Sequence, residues 1–357
     1  MHSVPPRNGV LTRASVLLVG AATAFTLIGC TSPSHDSTSS PAAAAADATP
    51  VAGRGAGRQV EFPNGGITMA GNVFVPADFD PARSYPTIVV VHPGGGVKEQ
   101  TAGVYAQRLA DQGFLTLAFD ASYQGASGGT PRFLDNPMNR VGDIYSAVDY
   151  LTTLPYVAED NIGILGICAG GGATIKAATT DRRIKAVATV SGVDVGAATR
   201  RGWEGNASEA DQIATLNAVA AQRSAEAAGA EPVYVPYVPA VGDQSAPRDL
   251  QEAADYYLTD RGRHPNAPNK MLQTSASYMV SFTGFDRIDT LLTQPLLVVA
   301  GSEAGSLWHS RELHDRAAST QKELAIIDGA THMDLYDGPG VDQSMARLSP
   351  FYTNTLK

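Results

Sequence analysis

Three stretches of this chain carry residue types that do chemistry together. The first is Gly166-Ile167-Cys168-Ala169-Gly170, which follows the apolar run Ile162-Gly163-Ile164-Leu165 and precedes helix-compatible sequence. It has the form of a nucleophile elbow, Gly-x-Ser-x-Gly, with a thiol where the hydroxyl stands. Such a bend holds the nucleophile on a strained strand-to-helix turn. The glycines two residues either side are needed because a side chain there would strike the neighbouring strand or helix. Cysteine is the better nucleophile once a base or a local field makes it a thiolate. A free cysteine at the end of a core strand is more often a small buried hydrophobe. Both flanking glycines, and the continuation Gly171-Gly172, favour the chemical reading here.

The second stretch supplies a base. Ile326-Ile327-Asp328-Gly329-Ala330-Thr331-His332 places His332 just past the last predicted strand. The other six histidines stand elsewhere: His2 and His35 near the start, His92 ahead of the nucleophile, His264 in an inserted segment, His309 and His314 in a predicted helix. His332 would deprotonate Cys168 and return the proton to the leaving group. The third stretch, His92-Pro93-Gly94-Gly95-Gly96, follows the first core strand. An oxyanion hole needs two backbone N–H groups aimed at one point. Ala169, after the nucleophile, would give one, and Gly94 or Gly95 the other. A phosphate-cradling loop is the rival reading, but Lys98 does not complete that pattern.

An acid should orient His332. Asp194, in Ser191-Gly192-Val193-Asp194, is placed first, with Glu303, in Gly301-Ser302-Glu303-Ala304, as the alternative. Asp120 and Asp286 remain open, although Asp120 is better placed to pin the loop Tyr123-Gln124-Gly125-Ala126-Ser127. There is no His-Glu-x-x-His and no second thiol near Cys168, so neither metal nor cofactor is expected.

The elements that must position these groups alternate. Residues 60–62 and 67–75 read as a hairpin turning at Asn64-Gly65-Gly66. Thr87-Ile88-Val89-Val90-Val91 is a continuous β-branched run, as in a strand buried on both faces. Further strands are expected at 114–119, 162–165, 184–190, 295–300 and 323–327. Helices are expected at 101–112, 138–154 and 307–319. This alternation predicts an α/β fold, a mostly parallel sheet with helices on both faces. Residues 195–285 break the rhythm with alanine-rich helical text, then four prolines between Pro232 and Pro247. They read as a lid insertion over the carboxyl edge of the sheet, where open α/β folds bind substrates.

The 357 residues carry a net charge of −9 and no basic patch, which excludes nucleic acid as a partner. Arg7 and Arg13 precede an apolar run from Ala14 to Ile28, too short for a membrane span and apt for a secretory signal. Leu27-Ile28-Gly29-Cys30 resembles a bacterial lipobox, whose cysteine is lipidated and becomes the new N-terminus. Residues 1–30 therefore read as a lipoprotein signal and 31–57, rich in Ser, Ala and Pro, as a disordered tether. Residues 58–357 form the globular domain. The expected location is the cell envelope, outside the cytoplasm, with a lipid anchor in a membrane. Cys30 and Cys168 are the only cysteines, so no disulfide is expected within the mature chain.

With Gly-x-Cys-x-Gly, the 92–96 loop and Gly329-Ala330-Thr331-His332 all present, residues 60–357 resemble the α/β-hydrolase superfamily, and most of all its dienelactone-hydrolase-like branch, which carries a Cys nucleophile. Within that branch, residues 91–100 and 166–172 are similar to a group of bacterial hydrolases and fungal polyketide transferases. The resemblance implies Cys168 as nucleophile, His332 as base, and Ala169 with Gly94 or Gly95 as oxyanion donors. Two departures stand out. His92-Pro93 replaces a carboxylate near the end of the first core strand, and Ala304 stands where an Asp follows the penultimate strand. The lactone substrate therefore does not carry over. The expected function is hydrolysis of an ester, thioester or lactone of a small-molecule acyl substrate through acyl-Cys. The alternatives are an acyl or polyketide transferase, or an inactive ligand-binding lipoprotein.

Overall fold

The run Tyr85–Val91 forms strand β3. Its Ile88 and Val90 point into one layer of the core, and Val89 and Val91 into the other. Both faces are covered, which is why the run shows no polar alternation. The computed structural model describes residues 57–357. The expected signal segment, Cys30 and all but the last residue of the expected tether lie outside the described residues.

Around β3 the elements follow in chain order as β1 (Arg58–Asn64), β2 (Ile67–Phe74), β3, α1 (Thr101–Ala110), β4 (Leu115–Phe119), α2 (Pro137–Thr152), β5 (Val157–Ile167), α3 (Ala169–Thr180) and β6 (Ile184–Val190). Then come α4 (Val195–Arg201), α5 (Glu209–Ala227), β7 (Tyr234–Val235), α6 (Arg248–Leu258), β8 (Met271–Leu272), α7 (Ala276–Ser281) and α8 (Ile288–Leu291). The chain closes with β9 (Leu296–Gly301), α9 (Leu307–Arg316), β10 (Lys322–Ile327) and α10 (Gly338–Thr355). Eight strands form one sheet in the order β1-β2-β4-β3-β5-β6-β9-β10. The β1–β2 and β2–β4 pairs are antiparallel and all the others parallel.

Tyr105 and Leu109 of α1 pack with Leu348 and Tyr352 of α10 on one face of the sheet. Val141 and Ile144 of α2 pack with Ile175 of α3 on the other. The parallel strands thus end together at one edge, and the loops after β3, β5, β6, β9 and β10 meet there. Those loops carry the three chemical stretches.

The departures from the sequence reading have local causes. Strand β5 starts at Val157 rather than at Ile162, because Val157 pairs with Tyr85 across an irregularity in the register. Helix α10 was not expected, since Gly338-Pro339-Gly340 opens it and Pro350 lies inside it. Proline is compatible with a helix's first turn but opposes its interior. Between β6 and β9, residues 195–285 contain α4 to α7 and the antiparallel β7–β8 pair. The Ser208–Asp211 capping box starts α5.

Candidate active site

Cys168 occupies the turn between β5 and α3 with φ +51° and ψ −123°, a conformation that costs a non-glycine residue about 1–3 kcal/mol. The flanking glycines are required by contact. A Cβ at Gly166 would lie 2.6 Å from Thr174 Oγ1, and one at Gly170 would strike the carbonyl oxygens of Val91 and His92 at the end of β3. Two backbone bonds tie the turn to the end of β6. Cys168 N–H donates to Val190 C=O at 3.1 Å, and Val193 N–H donates to Cys168 C=O at 2.8 Å. The strained bend is held by the two strands beside it.

His332 follows β10 and is buried. Its Nδ1 lies 2.6 Å from Ser306 Oγ and its Nε2 lies 3.3 Å from the Tyr336 hydroxyl. The indole of Trp203 meets the imidazole edge-on, with ring centroids 4.9 Å apart. The Cys168 thiol feels five main influences. Burial pushes its pKa up. The charge of His332, and hydrogen bonds from His332, from the Tyr336 hydroxyl and from the Ala169 N–H, pull it down, and the net position is below the ordinary thiol value. A half-buried thiol in this setting is poised to ionise.

Neither carboxylate named from the sequence reaches this imidazole. Asp194 caps α4, where its Oδ1 accepts from Gly196 N–H and Ala197 N–H at 3.0 and 3.3 Å. Its Oδ2 accepts from Gly284 N–H at 3.1 Å. Three amides consume the group, so it serves the helix terminus. Glu303 is exposed and its Oε2 faces Arg248 Nη1 at 3.8 Å. Asp286 pairs with Lys176 on the surface. Asp120 holds Lys98 Nζ and Ala126 N–H, both at 2.8 Å, and so pins the 120–127 loop. The group that meets His332 Nδ1 is Ser306, at the start of α9.

The glycine loop is a tight turn closed by Gly96 N–H donating to Pro93 C=O at 3.2 Å, with Gly95 at φ +67°. The Tyr237 ring lies so close that a Cβ at Gly95 would fall 2.6 Å from it. A Cβ at Gly94 would come 3.4 Å from the Ala169 Cβ, so the loop and the elbow adjoin. The amides at the start of a helix have no intrahelical partner, and Ala169 begins α3. His92 is structural. Its Nε2 accepts from Ala121 N–H at 3.0 Å, which places the ring proton on Nδ1, facing Pro93 C=O at 2.6 Å. Burial, with Arg140 nearby, lowers its pKa to about 3 and keeps it neutral.

A cavity of about 310 Å3 opens over these groups. Cys168, Ala169, Gly94 and His332 form its floor, and the inserted segment contributes Trp203, Tyr237, Leu250, Tyr257, Met271 and Met279. Tyr237 is fixed from below: its hydroxyl donates to Asp135 Oδ2 at 2.7 Å and accepts from Gln124 Nε2 at 2.9 Å. Asp135 is itself paired with buried Arg140 at 3.1 Å. Asp249 of α6 joins the segment to the loop after β9, because its Oδ2 accepts from Trp203 Nε1 and from Gly305 N–H, each at 2.8 Å. Of the residues missed by sequence reasoning, only Tyr336 left a signal: it stands four positions after His332, one helical turn on. Ser306, Trp203, Tyr237, Tyr257 and Asp249 arrive from distant parts of the chain.

An eight-stranded mixed sheet, a thiol elbow after β5 and a histidine after the last strand define the α/β-hydrolase class. The model of the dienelactone hydrolase family matches residues 71–223. The uncharacterized protein YcjY of Escherichia coli K12 is 45% identical over 81% of this chain and 95% of its own length. The uncharacterized protein PA2218 of Pseudomonas aeruginosa is 37% identical over 78% of this chain and 76% of its own. The crystal structure of PA2218 superposes with a TM-score of 0.79 at 34% identity, covering 84% of this chain and 93% of that one. The polyketide transferase grgF of a Penicillium species is 29% identical over 75% of this chain and 86% of its own. The chain belongs to the dienelactone hydrolase family of α/β-hydrolases, and its activity is that of a hydrolase or acyl transferase.

Proposed function

We propose that the chain cleaves an ester, thioester or lactone through an acyl-Cys168 intermediate. The observation that carries the reading is the coupling of the Cys168 thiol to His332 inside a mostly apolar cavity. His332 Nε2 takes the thiol proton, and Sγ adds to the carbonyl carbon. The oxygen gains charge against the amides of Ala169 and Gly94 or Gly95. Collapse expels the leaving group, which takes the proton from His332, and water then repeats the sequence on the acyl-Cys. Residues 195–285 act as the lid that shapes the acyl site.

A dyad suffices for this chemistry. A serine hydroxyl is far less acidic than an imidazolium, so a serine enzyme needs a buried carboxylate to stabilise the charged ring. A thiol near pKa 8.5 and an imidazole near 6.5 are close enough that the thiolate itself is the counter-charge. Ser306 then needs only to hold the ring, accepting from Nδ1–H. Transfer to an alcohol or amine is the second reading, favoured by the likeness to a polyketide transferase.

The test is a short p-nitrophenyl ester and mass analysis of the purified protein. One acyl group should accumulate on Cys168 and be lost in His332→Ala. Turnover surviving in Cys168→Ala would sink the reading, and an added alcohol appearing in the product would select transfer. Neither labelling nor turnover would leave the role of a binding lipoprotein. We also propose an extracytoplasmic site anchored through Cys30, on the lipobox alone. Fatty-acid labelling of the full chain should disappear in Cys30→Ser. Among the described residues, no helix is long and apolar enough to cross a membrane.

A further inference from the structure

We propose that the Tyr257 hydroxyl is a third oxyanion donor, a catalytic residue carried on helix α6 of the lid that acts on the acyl oxygen beside the backbone amides. The inference rests on the acyl-Cys168 reading. Tyr257 is buried, lines the cavity that holds Cys168, and its hydroxyl oxygen makes no hydrogen bond of normal geometry. Buried hydroxyls are nearly always paired, and an orphan at an enzyme's cavity asks for a partner that arrives with the substrate. The oxygen stands at the glycine loop, since a Cβ at Gly96 would come within 3.4 Å of it. The charge of Cys168 acts on it, and the Tyr336 hydroxyl lies near enough to donate weakly to its oxygen, which leaves the Tyr257 proton itself without an acceptor.

The ring cannot wander. It packs edge-on against Tyr256, with centroids 5.0 Å apart, and against Tyr336 at 6.4 Å. The two phenols near the thiol therefore divide the work. Tyr336 is engaged with the imidazole, while Tyr257 has a free proton to donate. Burial, then Tyr256 and Cys168, hold its pKa well above the ordinary tyrosine value, so it remains an O–H donor throughout. When Sγ bonds to the carbonyl carbon, the π pair moves onto oxygen and the phenol donates to it without giving up its proton. The contact is stronger with that oxyanion than with the ground-state carbonyl, so the gain falls on kcat.

The experiment compares Tyr257→Phe with the unmodified full chain on a short p-nitrophenyl ester and with iodoacetamide. We expect kcat for the ester to fall on the order of 100-fold, with KM within about twofold. Alkylation of Cys168 by iodoacetamide, which builds no oxyanion, should keep its rate. The Tm should hold or rise, because the variant deletes an unsatisfied hydroxyl. Ester turnover within about twofold of the starting protein would overturn the proposal. Equal losses in alkylation and acylation would overturn it too, by placing the effect on the thiol. Failure of the acyl-Cys reading would show separately, as turnover in Cys168→Ala.

Discussion

The imidazole beside the Cys168 thiol has Ser306, not a carboxylate, at its Nδ1, and this arrangement bears on how Cys168 should titrate. Burial opposes the thiolate, yet His332, Tyr336 and the Ala169 amide outweigh it. Iodoacetamide alkylation against pH should therefore show a midpoint below the roughly 8.5 of a free thiol. His332→Ala and Tyr336→Phe each remove a group that favours the charged form, so each should move the midpoint upward. A midpoint above 8.5 in the unaltered protein would mean that burial wins. The residues in this argument were unequally legible. Cys168 and His332 could be placed because a motif and chain order fix them. Asp194 and Glu303 were chosen by order alone, and order cannot show that three amides consume one and solvent surrounds the other. Ser306 was invisible because a hydroxyl five residues after a glycine-bearing strand has no spacing of its own.

At the scale of elements, the glycine loop and the inserted segment 195–285 are packed as one unit. Gly95 has φ +67°, and the Tyr237 ring fills the space that its Cβ would need. Gly95→Ala therefore meets two obstacles, torsional and steric. The torsional one costs about 1–2 kcal/mol for an L-residue in the left-handed region. The steric one pushes Tyr237 off its bonds with Asp135 and Gln124. We expect Gly95→Ala to lower kcat/KM on the order of 100-fold, corresponding to about 2.7 kcal/mol. Adding Tyr237→Ala should recover part of the loss, because only the steric share is relieved. A double variant worse than Gly95→Ala by the full effect of Tyr237→Ala would show that loop and lid act independently. The strands and helices around this unit were readable, since β-branched runs and 3.6-residue periodicity are local. The docking of Tyr237 on Gly95 joins residues 142 positions apart, and Asn269 fixes the Tyr237 backbone from a further 32 positions on. No local pattern encodes such contacts.

Across the whole molecule, buried titratable groups tie stability to pH. His92 and His309 are buried, each with its pKa lowered to about 3. Between pH 6 and 4 the unfolded chain protonates both and the folded chain neither, so both make stability fall on acidification. Burial raises Asp143 to about 6. Over the same range the folded chain holds that proton and the unfolded chain does not, so Asp143 opposes the histidines. Asp194, also raised by burial, works in the same sense near the acid end. Two protons gained on unfolding against one lost leave a net slope of about 1.4 kcal/mol per pH unit. His309 is the member to remove. Both of its ring nitrogens lack partners, and its ring stacks on Trp308 and meets Phe285 edge-on. His309→Phe keeps the aromatic packing, deletes two unsatisfied atoms and should stabilise by about 1–3 kcal/mol at pH 7. It should also bring the slope between pH 6 and 4 close to zero, because one proton then enters on each side. Denaturant midpoints at the three pH values measure both effects. A variant that is less stable at pH 7, or that keeps the original slope, would show that His309 finds a partner or a proton in the folded protein.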